Sequence, residues 1–133
     1  MTRIMKNHES SEDYLERILM LQEKKGQVRS IDIVNDMNFS KPSISIAMKK
    51  LREGGMILMD SGGYITLTPT GRAIAEKIYS RHRLLEKVLV AIGVDPVKAE
   101  EEACHIEHDI DDDTYEKINA FYHKMLENKD PKE

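Results

Sequence analysis

In SSEDYLERILMLQEKKG, apolar side chains fall at Tyr14, Leu15, Ile18, Leu19 and Leu21. That is the three-and-four spacing of one helix face, and Gly26 closes the run. Ser10, with Asp13 three residues on, resembles a capping box in which Asp replaces Glu. RSIDIVNDMN predicts a short second helix with Ser30 as its cap. FSKPSISIAMKKLREGG predicts a third, with Ser40 as N-cap, Pro42 in the first turn and Gly54-Gly55 at its end. The period then shortens. MILMD and YITLT are β-like runs parted by SGG, a hairpin signal in which Gly62 and Gly63 are free to take positive φ. Thr68-Pro69 caps a long helical run from about Thr70 to Ile92, which GVDP breaks. Further helices fit Val97–Asp109 and Asp113–Leu126, and ENKDPKE is expected to fray.

Three helices followed by a two-stranded wing is the order of a winged helix-turn-helix, whose third helix enters the DNA major groove. The expected class is therefore mainly α. A DNA-binding domain spans residues 1–70, and a long helix joins it to a helical domain over residues 71–133. Ser40, Lys41, Pro42, Ser43, Ser45, Lys49 and Lys50 populate the third helix and its cap, and Arg29 precedes the second. Small hydroxyls suit base edges or phosphates, and ammonium groups suit phosphates. Arg52 is a further phosphate candidate. Each of these positions taken singly also fits an ordinary solvated helix surface.

Charge sharpens this picture. Residues 1–94 hold 15 Lys/Arg against 11 Asp/Glu, and residues 95–133 hold 5 against 13. A mildly basic front half suits a polyanion, and the acidic rear half suits cations or solvent. A single cysteine forms no intramolecular disulfide, which points to a reducing cytoplasm. There is no apolar run long enough for a membrane span and no signal peptide.

The acidic half holds EEACHIEHDIDDD. On a helix, Cys104, Glu107 and His108 share one face and offer a thiolate, a carboxylate and an imidazole. That mixture suits a first-row divalent transition ion. One face rarely completes a coordination shell. His82, with Glu86 one turn on, and Asp13, with Glu16 nearly one turn on, are the other donors in reach of a three-helix site. The plainer readings stay open: carboxylates near a helix N-terminus, a surface histidine in RHR, a cysteine acting as a small core residue. No Gly-rich phosphate loop or nucleophile elbow is present, so the expectation is a binding protein rather than an enzyme.

EDYLERI, KPSISIAMKKL, LTPTGRAIAEKI, RHRLLEKVLVAIGVD and CHIEHDI, in that order, resemble the diphtheria toxin repressor family of metal-activated transcription repressors. The likeness runs from about Ser10 to the end of the chain. It implies a winged helix-turn-helix, a helical dimerisation domain, metal at their junction, a homodimer on an operator in double-stranded DNA, and metal-transport genes as usual targets. The chain's length resembles the short, manganese-responsive branch that lacks an SH3-like domain.

The same resemblance implies metal ligands at Asp13, Glu16, His82, Cys104, Glu107 and His108. Cys104 is a departure, since the manganese branch has Glu there and the iron branch has Cys. The iron branch has Met at the place of Asp13, and its second site has a histidine at the place of Glu100. Glu86 matches a ligand of that second site. The implied cofactor is Mn2+ or Fe2+, with Co2+ or Zn2+ as in vitro substitutes. The alternative is a metal-independent winged-helix regulator that answers another ligand.

Overall fold

The computed structural model describes residues 11–129, so Ser10 and its cap lie outside the described residues. The chain divides into two compact units between Tyr79 and Ser80.

The first unit opens with helix α1, Ser11–Lys25. Leu15, Ile18, Leu19 and Leu21 are buried on it, as their spacing predicts. Gly26 then takes φ +90° and its N–H caps the Gln22 carbonyl at 2.8 Å. A two-residue strand β1, Val28–Arg29, follows, then helix α2, Ser30–Met37. Ser30 is the first helical residue rather than the cap. Arg29 occupies the cap position, and its N–H donates to Asp32 Oδ2 at 2.9 Å. Asn38 ends α2 in the left-handed region at φ +61° and donates to the Val34 carbonyl, which turns the chain toward α3.

Helix α3 spans Lys41–Glu53. Ser40 caps it as the sequence predicts, its Oγ accepting from the Ser43 N–H. Strands β2, Ile57–Met59, and β3, Tyr64–Leu67, form the wing. Pairing is antiparallel with Leu58 opposite Thr66, and β1 adds to the other edge of β3 with Val28 opposite Ile65. The sheet thus has three strands in the order β1-β3-β2 where the sequence showed two. At the tip, Asp60 Oδ1 accepts from the Gly62 and Tyr64 N–H groups, and Gly63 sits at φ +86°. One apolar core joins Leu15 and Ile18 of α1, Ile33 of α2, Ile44 and Met48 of α3, and Val28, Ile57 and Ile65 of the sheet.

Helix α4, Pro69–Ala91, begins in this unit and ends in the second. The second unit continues with α5, Pro96–Ile106, and α6, Asp112–Lys129. Gly93 at φ +107° and Asp95, which accepts from the Val97 and Lys98 N–H groups, make the α4–α5 corner. Helix α5 stops three residues before the expected end, and α6 runs three residues past Leu126, so Glu127–Lys129 is helical rather than frayed. The Thr114 N–H donates to Asp111 and opens α6, holding that carboxyl below the usual carboxylate range.

Candidate metal centre and nucleic-acid interface

The donors of the second unit gather around one imidazole. His82 lies on α4 and is 2% exposed. Its Nδ1 is 2.9 Å from Oε1 of Glu107, a carboxylate with no solvent exposure. The same nitrogen is 3.7 Å from Cys104 Sγ, and Nε2 is 3.6 Å from Glu86 Oε1. His82, Glu100 and Cys104 each place one donor atom within 4.8 Å of the others. Imidazole, carboxylate and thiol at that separation fit a first-row divalent ion, whose bonds to such donors are about 2.0–2.3 Å long.

The local chain explains the gathering. Glu100 and Cys104 are four residues apart on α5 and share its face, while Ala99 and Ala103 are buried. Glu107 is the cap residue just past the end of α5, still with helical dihedrals (φ −58°, ψ −24°), so it keeps its place one turn on from Cys104. His108 already lies in the turn beyond and is not on a continuous helix face with Cys104. Its Nε2 stands 3.4 Å from Glu107 Oε2. Arg81, next to His82, is buried and donates to the Glu107 carbonyl at 3.4 Å, to the Ile110 carbonyl at 2.6 Å and to the Asp112 carboxylate. Its guanidinium also lies over the Tyr115 ring. One arginine therefore fixes the turn that follows the Glu107-His108 pair.

Asp13 and Glu16 sit on α1 in the first unit, Asp13 half-buried and Glu16 buried. A buried carboxylate on an otherwise apolar face is expensive unless partnered, which sets Glu16 apart from a routine helix-terminal charge.

Of the nucleic-acid candidates, Ser40, Lys41, Pro42, Ser43, Ser45, Lys49 and Lys50 are all exposed, on α3 and its cap. Ile44, Met48 and Leu51 turn to the core. Ser43 Oγ is 2.9 Å from Ser40 Oγ, so that hydroxyl is engaged in the cap. Arg29 stands apart from the helix, on β1, with its guanidinium 5.1 Å from the Tyr64 ring centre on the wing.

Two residues were missed as candidates. Glu100 had a signal in its four-residue spacing from Cys104. Arg81 had none, because two of its acceptors are backbone carbonyls that no residue type encodes and the third, Asp112, lies 31 residues along the chain.

Residues 7–66 match the iron-dependent repressor N-terminal DNA-binding domain, and residues 68–132 match the metal-binding and dimerisation domain of the same repressors. The chain belongs to the iron-dependent repressor family. This family comprises metal-dependent, DNA-binding transcriptional repressors with a winged helix-turn-helix, and its matched domains pair DNA binding with dimerisation. The HTH-type transcriptional regulator MntR of Lysinibacillus sphaericus (strain C3-41) is 31% identical over 91% of this chain and 87% of its own length. The MntR of Shouchella clausii (strain KSM-K16) is 34% identical over 90% of this chain and 83% of its own. Among solved structures, the manganese regulator SloR shares 30% identity at a TM-score of 0.75, covering 86% of this chain and 54% of SloR. A manganese-dependent transcriptional repressor in complex with manganese shares 33% at a TM-score of 0.74, covering 83% of this chain and 51% of its own. The chain thus spans about half the length of those solved relatives. Among the described residues of this family member, no helix is long and apolar enough to cross a membrane.

Proposed function

We propose that this chain is a cytoplasmic homodimeric repressor whose affinity for an operator in double-stranded DNA is set by Mn2+ or Fe2+. The observation that carries the metal half is the convergence of His82, Glu100 and Cys104, with Glu107 on the same imidazole. A bound divalent ion would supply the positive charge that lets carboxylates and a thiolate share a part-buried site. Glu107 orients the His82 ring and fixes which nitrogen carries its proton. Cys104, ionised, is the soft donor that moves preference from Mn2+ toward Fe2+, Co2+ or Zn2+. Asp13 and Glu16 join the donor set on the strength of the family resemblance, and their hard oxygens favour Mn2+ or Fe2+. His108 joins it on the same ground. The cluster is read as a sensor rather than a catalytic centre, in keeping with the regulators that the chain resembles.

The DNA half rests on α3. Its free face presents Ser45, Lys49 and Lys50, and Arg29 on the sheet adds a cation for a phosphate. For the dimer, the second unit offers an apolar groove of about 350 Å³ lined by Leu85, Val88, Ile92, Ile118, Phe121 and Met125, with Ile92 70% and Phe121 65% exposed. A two-fold dimer presents two α3 helices to a two-fold operator. Metal and operator affinities are linked by one factor in both directions.

The test is an anaerobic titration of the metal-free chain with Mn2+, Fe2+, Co2+ and Zn2+. Binding is read by fluorescence anisotropy on a duplex selected from a random library. Operator affinity should rise by about tenfold or more with one of these ions, as an ordinary coupling of 1–3 kcal/mol allows. Equal binding in chelator and in every metal would make the chain a metal-independent regulator instead.

A further inference from the structure

The polar and cationic residues of α3 account for phosphate contacts and for part of base readout, but the centre of its free face is apolar. Ile44, Met48 and Leu51 point to the core. At about 100° per residue, Ile46 lies about 200° round the helix from Ile44, opposite that buried stripe. It is 59% exposed. Pro42 precedes it by one turn, Lys49 and Lys50 follow it by one turn, and all three are exposed.

Singly exposed apolar residues are common and need no account by themselves. Ile46 differs in its company. Ser45 and the two lysines are the groups that would face base edges and phosphates, and Ile46 stands among them at the middle of the face. Isoleucine has neither donor nor acceptor. In a major groove it complements one feature only, the 5-methyl group of thymine. Its branched side chain is stiff at χ1, so the contact is directional.

We propose that Ile46 is a specificity-determining residue that reads a thymine methyl group at one position of each operator half-site. The proposal rests on the reading of α3 as the groove-binding helix. Ile46 contributes no hydrogen bond. It excludes water from the methyl group and rejects cytosine and guanine, whose polar edges would be left unpaired against it. Ser45, one residue before it, presents an exposed hydroxyl to an adjacent base edge.

The experiment uses the metal-loaded full chain and a randomised duplex library, first with the native protein. The selected operator is then remade with each thymine replaced in turn by deoxyuridine, which removes the methyl group alone. Native protein should lose roughly fourfold in affinity at one symmetry-related pair of thymines, the effect of one buried carbon. Ile46→Ala should bind the parent operator more weakly and show no further loss at that same pair. Ile46→Gln should select adenine there, through its paired donor and acceptor. Folding of each variant is checked by thermal melting, and an exposed position should leave it unchanged. If no thymine shows a deoxyuridine effect that Ile46→Ala abolishes, the proposal is overturned while DNA binding by α3 stands. If the native chain enriches no sequence at all, the DNA-binding reading fails, and this inference fails with it.

Discussion

His82 Nδ1 and Glu107 Oε1 meet at 2.9 Å across 25 residues of sequence, and solvent reaches neither side chain to any extent. The contact holds the ring plane of the imidazole in place. Replacing Glu107 by Ala removes both the orienting partner and a ligand candidate. Metal affinity should fall by about 10–100-fold, read by competition with a fluorescent chelator. The metal-free protein should lose about 1–3 kcal/mol of stability, because the imidazole is left buried without that partner. Unchanged metal affinity in Glu107→Ala would remove this pair from the sensor.

Cys104 Sγ lies 3.7 Å from the same His82 nitrogen. Cys104→Glu converts a soft donor into a hard one, so activation should swing from Fe2+, Co2+ or Zn2+ toward Mn2+. With Co2+, the native protein should show a sulfur-to-metal charge-transfer band that the variant lacks. Identical metal rankings and spectra in the two proteins would mean that the thiol is a packing group.

Arg81 braces the turn beside the candidate centre. Its guanidinium spans the Glu107 and Ile110 carbonyls and Asp112, so Arg81→Met frees the turn behind Glu107-His108. Loss of these charge-assisted bonds should cost about 1.5–3 kcal/mol. Metal affinity should drop further than global stability explains, with an altered cobalt spectrum as the sign of a misplaced ligand. A drop in melting temperature with a native spectrum would make Arg81 purely structural.

Asp32 carries a pH signature. A hydrogen bond from Lys25 Nζ at 2.8 Å, then one from the Arg29 N–H, holds its carboxyl below the ordinary carboxylate range. A depressed value in the folded state means that its stabilisation is complete above the unfolded value. That stabilisation is lost as pH falls through the folded one. Asp32→Asn should therefore cost about 1 kcal/mol near neutrality. Denaturant midpoints of variant and native protein should converge in strong acid. A constant difference across that range would contradict the assignment.

Gly71 is placed by a close approach rather than by its dihedrals. A Cβ there would stand 2.0 Å from the Met56 carbonyl oxygen. Gly71→Ala should destabilise the chain by about 3 kcal/mol through forced separation of α4 from the wing's entry. Thermal melting of the variant checks it, and a native melting temperature would show that the turn at Met56 moves freely.

That contact also gives a physical reason for the TPTG block. Thr68 Oγ donates to the Gly55 carbonyl and accepts from the Gly71 N–H, so the block is a helix start wedged against a backbone. Ser40 with Pro42, and the SGG turn, were legible because caps and turns are written in residue types. Strand β1 was not, because two residues carry no period, and its partner Ile65 lies far along the chain. The spacing of Cys104, Glu107 and His108 fits one helix face, but α5 ends at Ile106 with Glu107 as its cap, and His108 falls in the turn beyond. The spacing of Cys104 and Glu107 was visible. That His82 would be the hub between them was not, since it depends on how α4 packs on α5.

Arg29 lies over the Tyr64 ring, and a Cβ added at Gly63 would come within 3.7 Å of its Nε. A guanidinium stacked on an aromatic face has surrendered much of its rotational freedom during folding. Ordering a flexible side chain on association ordinarily costs about 0.5–1.5 kcal/mol. Held over Tyr64, Arg29 has part of that cost met within the fold, so in the proposed DNA complex it would meet a phosphate as part of a pre-ordered surface rather than as a tether that must be stilled.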